Sequence, residues 1–510
     1  MNIHKFGIVL CLVIIVSAVA LFEFTLNRSF IGSDDAYIHL RYIDNLRSGH
    51  GFGFNPDKPS NGSTSPLWVL IAAGLTREAS DLPQAVKVLS ISLFIISIFV
   101  FYVLSFRLLG SSLPAILATI IYASDPWLLK WAGSAMETSL VSLMVLLSIY
   151  FLLNSERHRY LIAASLMLAL ATLARPENGL LFCFFLLIQI TLRESIFRRV
   201  GRIAIALGAY FVVLVPWLVF ALVTFGSPLP NTFAAKTIAS GATLWGVGWY
   251  FLRVIGVTYW PWFLVLFGLI LLSLKAIGRT RAIPLLKLQD KATVLLWLWC
   301  IIIPAFYTLS KLQTPSTRYL QITTPLLIAV GFYGLTHLTS SVSWTKHRSR
   351  LTLIVVTITI IFYNVGLNGV IVLPSSRDFS EKILRTYQIV GEWLESNTSE
   401  DSRVAVAIDV GAIGYYSNRE IIDLGGLNTV EAISYLPDSL SYVFVSKPDY
   451  LVITGESSEY ALMNQTRFKE VAIPVVSFPA TTGVRAEIDA ATGGREIQNF
   501  YVSVYYLSWP

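Results

Sequence analysis

The chain has 510 residues, 55% of them hydrophobic and only 14% charged, with a mean hydropathy of +0.65 and a formal charge of +7. Soluble globular chains run at about 45–50% apolar and about 25% charged. The shortage of charge excludes a soluble enzyme, a disordered protein and a nucleic-acid binder working through a basic surface. The net charge conceals two opposite parts: residues 375–510 hold 10 basic and 18 acidic side chains, the rest 28 and 13. Cys11, Cys183 and Cys300 all lie in apolar runs and form neither a metal cluster nor a disulfide framework.

Apolar runs long enough to cross a hydrocarbon core of about 30 Å recur up to residue 373 and then stop. The expected spans are 6–26, 84–105, 112–124, 138–154, 160–174, 178–193, 203–224, 259–276, 292–310, 319–338 and 351–373, about eleven helices. Several are short, as kinked or partly re-entrant helices would be. The first carries Ala18-Val19-Ala20, which has the form of a signal-peptidase site. Its apolar stretch is longer than a signal peptide needs, and it reads as a retained anchor.

Basic residues set the orientation. With the N-terminus inside, the short inner loops collect Arg107, Arg157, Arg159, Arg193, Arg198, Arg199, Arg202 and the cations near 275–291 and 346–350. The outer loops take nine of the thirteen acids before residue 375, among them Asp34, Asp35, Glu137 and Glu177. An odd number of spans puts the tail outside too. Two parts result: a membrane domain, 1–374, with a long first outer loop at 27–83, and an extracytoplasmic domain, 375–510. The inner side has only short connectors and no GxxxxGK[ST] loop, so the chemistry belongs to the outer face.

The first outer loop is the most informative stretch. Gly32-Ser33-Asp34-Asp35-Ala36-Tyr37-Ile38-His39-Leu40-Arg41-Tyr42 precedes Gly49-His50-Gly51 and Thr64-Ser65-Pro66-Leu67-Trp68. Ile38, Tyr42 and Leu46 recur at helical spacing, a stripe suited to lying on the membrane surface. Adjacent carboxylates on a helix point about 100° apart, so this pair does not flank one glycosidic bond. A single general base with a structural or metal-binding neighbour fits better. Helix capping by Ser33, Asp34 or Asp35 is the plainer alternative. In the tail, Arg403–Ile408, Ile421–Leu424 and Tyr450–Ile453 read as strands, and Gly411 to Ser417 as a short helix. Asp409-Val410-Gly411-Ala412-Ile413-Gly414 lacks the third glycine of a dinucleotide loop and reads as a strand–turn.

Segment 32–68 resembles the first outer loop of GT-C integral-membrane glycosyltransferases, most nearly the terminal arabinofuranosyltransferase-like group. Asp-Asp-Ala-Tyr-Ile, Arg-Tyr, Asn-Leu, Gly-His-Gly, Phe-Asn and Thr-Ser-Pro-Leu-Trp occur in that order. Asn61-Gly62-Ser63 departs from the usual Glu-Gly-Tyr. Met136-Glu137-Thr138, Arg175-Pro176-Glu177, Pro230-Asn231-Thr232-Phe233 with Lys236, Arg318-Tyr319-Leu320, Ile422-Asp423-Leu424-Gly425-Gly426-Leu427 and Lys447-Pro448-Asp449-Tyr450 extend the resemblance.

The resemblance implies a polyprenyl-phosphate-linked sugar as donor, used at the outer face of the bilayer on an envelope glycan, lipid or protein hydroxyl. It implies one carboxylate as base, Asp35 in preference to Asp34, which is better placed to cap. Lys236, Arg175 and Arg318 are candidates for holding the donor phosphate. Glu137 and Glu177 orient sugar hydroxyls or tether those cations, and His50, Tyr319 and Trp68 are further orienting candidates. No cofactor is implied with certainty. A divalent cation held by the two aspartates and Glu137 is the open option. The competing reading is a polytopic transporter or lipid flippase.

Overall fold

The computed structural model describes residues 31–510 apart from 154–156, 191–194, 239–242, 278–290, 312–315, 342–344, 408, 437, 456–465, 481–483, 486–495 and 498–499. The expected span 6–26 lies outside the described residues. The helices in chain order are α1 (Asp34–Arg47), α2 (Pro66–Leu75), α3 (Leu82–Leu109), α4 (Ser112–Ala123), α5 (Pro126–Ala132), α6 (Thr138–Leu152), α7 (His158–Ala174) and α8 (Gly179–Ile190). They continue as α9 (Ile196–Phe225), α10 (Asn231–Ile238), α11 (Leu244–Ile277), α12 (Lys291–Leu309), α13 (Thr323–Ser341) and α14 (Lys346–Leu367). The expected spans from 84 onward each fall on one of these. By length and composition α3, α9 and the long helix that α14 begins are able to cross a bilayer, and the pair α4–α5, bent by 58°, is able to do so as one broken span.

Local chemistry accounts for the breaks. Asp81 caps α3 by accepting from the Gln84 amide at 3.1 Å, and Gly110 ends it in the left-handed region at φ +63°. At the α4–α5 bend Asp125 accepts from the Trp127 and Leu128 amides at 3.1 and 3.0 Å, and Pro126 takes the first helical position, where its missing N–H costs nothing. The boundary expected at 374/375 falls inside a single helix, Lys346–Asn397. Two π turns, Asn368–Val372 and Phe379–Leu384, lie on either side of Pro374. A proline inside a helix removes one donor, and a local π turn absorbs the mismatch.

The tail carries a five-stranded sheet. Its strands are β1 (Arg403–Ala407), β2 (Glu420–Asp423), β3 (Tyr450–Gly455), β4 (Ala472–Ala480) and β5 (Phe500–Leu507), in the order β2-β1-β3-β5-β4. β1 runs parallel to β2 and β3, and β5 is antiparallel to β3 and β4. Alternation along β1 splits the packing: Val404 and Val406 join the main core, which continues into the membrane helices, and Ala405 and Ala407 face a smaller core on the other side.

The apolar stripe of helix α1 is covered by protein rather than left free. The helix is buried nearly all round, including His39 and Arg41, and packs against the tail helix α15 (Gly411–Ser417). Arg41 shows why: its Nε donates to Phe54 O at 2.6 Å and its Nη2 to Arg419 O at 2.6 Å, so a cation of this helix stitches the loop that follows it to the tail.

Candidate functional site

A cavity of about 410 Å³ opens where segment 35–64, the turn at 175–180, α10, the end of α12 and the 3-10 turn Thr317–Leu320 meet. Asp35 and His39, one helical turn apart on α1, share its wall with Lys236, Arg175, Glu177, Arg318 and Tyr319. Segments distant in sequence thus converge, and all but the end of α12, which brings Phe306 and Tyr307, carry charged side chains into the wall.

The charges form two groups. In the first, Arg318 Nη2 donates to Asp35 Oδ2 at 2.6 Å, and Lys236 Nζ stands 3.9 Å from the same oxygen. Arg318 also reaches the Tyr319 hydroxyl at 3.2 Å. Burial raises the Asp35 carboxyl, but Lys236 and Arg318 outweigh burial and hold it below the ordinary carboxylate range. In the second group, Arg175 donates to Glu177, to Glu137 Oε1 at 2.5 Å and to the Tyr307 hydroxyl at 2.7 Å. Tyr307 in turn donates to Glu177. The Tyr307 and Tyr319 rings stack at 4.0 Å between centroids, and Arg175 and Arg318 each stand 5.1 Å from the Tyr319 ring.

His39 links the helix to the second group. Its Nδ1 lies 3.1 Å from Ser63 Oγ, and its Nε2 lies 3.5 Å from Glu137 Oε2, a buried oxygen that no other donor among the described residues reaches. Burial raises the Glu137 carboxyl, and His39 and Arg175 overcome it and hold the group below its ordinary range.

Three residues expected at the site lie elsewhere. Asp34 turns to the tail, where its Oδ2 and Oδ1 accept the Gly411 and Ala412 amides at 2.7 and 2.8 Å. It caps α15 rather than its own helix, and Ser33, at the N-cap position of α1, makes no side-chain cap bond. His50 is surface-exposed and pairs with Asp57 at 3.1 Å. Trp68 is fully buried, donates to Ala135 O at 3.2 Å and does not line the cavity. Glu137 stands just behind the wall rather than in it. Asp34, Asp35 and Glu137 face different partners and form no shared oxygen cage for the cation left open above; among the described residues no three His, Cys, Asp or Glu are placed to hold a metal.

The glycines of the apparent dinucleotide loop serve packing. A Cβ on Gly411 would sit 2.1 Å from Asp34 O, and one on Gly414 2.7 Å from Phe54 Cζ. Sequence reading missed Tyr307, hidden in an apolar run, and gave no site role to His39, Gly62 or Leu427. The helical spacing of Asp35 and His39 was the available signal for one of them.

A family model described as a domain of unknown function (DUF8728) matches residues 380–505, about a quarter of the chain. No curated protein matches. Among solved structures, ArnT from Cupriavidus metallidurans bound to undecaprenyl phosphate is 11% identical with a TM-score of 0.60, over 96% of this chain and 97% of its own. The archaeal oligosaccharyltransferase AglB from Archaeoglobus fulgidus, in complex with an inhibitory peptide and a dolichol-phosphate, is 12% identical with a TM-score of 0.56, over 89% of this chain and 70% of its own. Its apo form gives 12% and 0.60, over 89% and 69%. The fold is therefore that of GT-C membrane enzymes, helical with a sheet domain at the C-terminus. These likenesses do not single out the arabinofuranosyltransferase-like group.

Proposed function

We propose that the protein is an integral-membrane glycosyltransferase that moves a sugar from a polyprenyl-phosphate donor to a hydroxyl of an envelope glycan, lipid or protein at the outer face, with inversion. The carrying observation is Asp35 in contact with Arg318 and close to Lys236 on the wall of one cavity. Three cations and three carboxylates gather there, but Arg175 lies between two of the carboxylates, Glu137 and Glu177. Among the described residues Arg318 and Lys236 share one carboxylate, Asp35, a local surplus of positive charge suited to a phosphate. Leu180, Phe233 and Phe306 on the same wall offer an apolar path for a prenyl chain. The solved neighbours carrying undecaprenyl phosphate and dolichol-phosphate support this class of donor.

The acceptor oxygen attacks the anomeric carbon as its bond to the donor phosphate breaks, and the hydroxyl proton passes to Asp35. Phosphate leaves without a general acid. Base catalysis of this kind contributes typically 10²–10⁴-fold, and fixed charge on the leaving group about 10²–10³-fold per donor. The donor phosphate draws Arg318 and Lys236 toward itself, which relieves the hold on Asp35 and makes it a better base. Arg175, Glu137, Glu177 and Tyr307 brace Tyr319 and through it Arg318. A transporter concentrates its charged groups at the middle of long helices; here Asp35, Lys236 and Arg318 sit on a loop helix, a short helix and a 3-10 turn.

The test is consumption of undecaprenyl-phosphoryl glucose, mannose and arabinose by the full chain in nanodiscs, together with binding of undecaprenyl phosphate. Wild type consumes one of the three. Arg318→Gln and Lys236→Met lower that rate at least about 100-fold and weaken undecaprenyl phosphate binding. Wild-type inertness together with equal binding by all three proteins ends the proposal.

A further inference from the structure

Among the described residues one of the tail reaches the cavity wall: Leu427, half-buried at the tip of the segment after β2. Its placement is built, not incidental. Asp423 accepts from the Gly425 amide at 2.9 Å, the Asn428 amide at 2.8 Å and the Asn428 side chain at 3.0 Å, which closes the segment into a loop. Gly426 turns it at φ +76°, with Ile433 too close for any side chain there.

The loop is then clamped to the first outer loop. Tyr42 donates to Asn428 Oδ1 at 3.1 Å and accepts from the Gly62 amide at 2.9 Å. A Cβ on Gly62 would meet Asn428 Oδ1 at 2.2 Å and Leu427 O at 2.6 Å, so the two backbones touch. Thr232, on the helix that carries Lys236, donates to Gly62 O at 2.8 Å. The same glycine therefore registers Leu427 against both Asp35's loop and Lys236's helix.

The apolar part of the wall, with Leu180 and Phe306, comes from the helices. Gly62, Thr64 and Leu427 come instead from the loop after the first helix and from the tail. We propose that a prenyl donor lies along the part of the wall the helices supply, that the part around Gly62, Thr64 and Leu427 admits the acceptor, and that Leu427 is its specificity-determining side chain, limiting how bulky a saccharide approaches Asp35. The inference rests on the glycosyltransferase reading above and assigns two parts of its cavity.

Two measurements test it on the full chain in nanodiscs. In the first, the donor that wild type consumes is offered with methanol or with a trisaccharide such as maltotriose. Leu427→Ala raises the trisaccharide-to-methanol transfer ratio at least threefold and Leu427→Trp lowers it at least fivefold, and the acceptor KM moves more than the donor KM. A ratio unmoved in both, or a donor KM that moves more, overturns the assignment. The second needs no known donor: Leu427→Cys, with Cys11, Cys183 and Cys300 replaced by alanine, is labelled by a water-soluble maleimide. A set of trisaccharides slows labelling at least threefold and undecaprenyl phosphate does not. Protection by undecaprenyl phosphate instead, or labelling equal in all cases, refutes it. Failure of the underlying reading shows separately, as donor consumption and lipid binding indifferent to Arg318→Gln and Lys236→Met.

Discussion

Replacing the adjacent acids one at a time separates a structural carboxylate from a chemical one. Asp34→Asn keeps one acceptor oxygen but sets an NH2 group against a backbone N–H that Asp34 now satisfies at 2.7 or 2.8 Å. A buried donor left unmet, or a lost bond to a charged group, costs about 1–3 kcal/mol. Asp35→Asn removes a carboxylate that is 32% exposed to the cavity, and its ion pairs contribute at most about 1 kcal/mol once solvent screening is allowed for. On the proposed mechanism it also removes the base, worth about 10²–10⁴ in turnover. Thermal unfolding in nanodiscs and single-turnover transfer per folded molecule read the two effects. The expected pattern is crossed: Asp34→Asn lowers Tm by a few degrees and keeps turnover within about threefold, whereas Asp35→Asn nearly keeps Tm and loses turnover. Equal loss of turnover in both variants at unchanged Tm refutes the division of labour, and full turnover in Asp35→Asn refutes the base.

Further expectations follow from the charges and contacts. Asp35 is held ionised by Lys236 and Arg318, so on the proposed mechanism it adds no acid limb to the wild-type pH profile of kcat/KM above about pH 4; in Lys236→Met, with burial less opposed, the acid limb moves to higher pH. Burial pushes the Asp423 carboxyl up to about 6. A raised acid stabilises the fold while protonated, so stability is lost as pH rises from about 4 through 6, on the order of 2–3 kcal/mol, and Asp423→Asn flattens that slope in Tm against pH. Gly62→Ala forces the loop at 427–428 away, lowering both Tm and transfer rate by an amount equivalent to about 1–3 kcal/mol; a neutral effect on both counts against the clamp.

Much of this was legible from residue order. The apolar runs fall on helices, and the strands around Val404, Ile421 and Leu451 appear where alternation and β-branching place them. β4 was missed because Pro474 and Pro479 argue against a strand; the structure places it at the sheet edge, with a shift in register between Pro474 and Val476, where proline is tolerated. The site was half legible. Asp35, Lys236, Arg175, Arg318, Glu177 and Tyr319 do share one cavity. What local pattern did not reveal was which aspartate faces it, because that choice is made by amides at 411 and 412, far along the chain. Trp68 and His50 stood near the motif in sequence, but one is consumed by core packing and the other by a surface pair.

The bond between Asp34 and the amides at 411 and 412 also has a temporal side. The segment that begins at Asp34 precedes the amides that complete it by 377 residues or more, so it reaches its final form only after that later segment has been made and has folded back against it. A product stopped between the two carries Asp34 and Asp35 without the contact that turns the one away from the cavity.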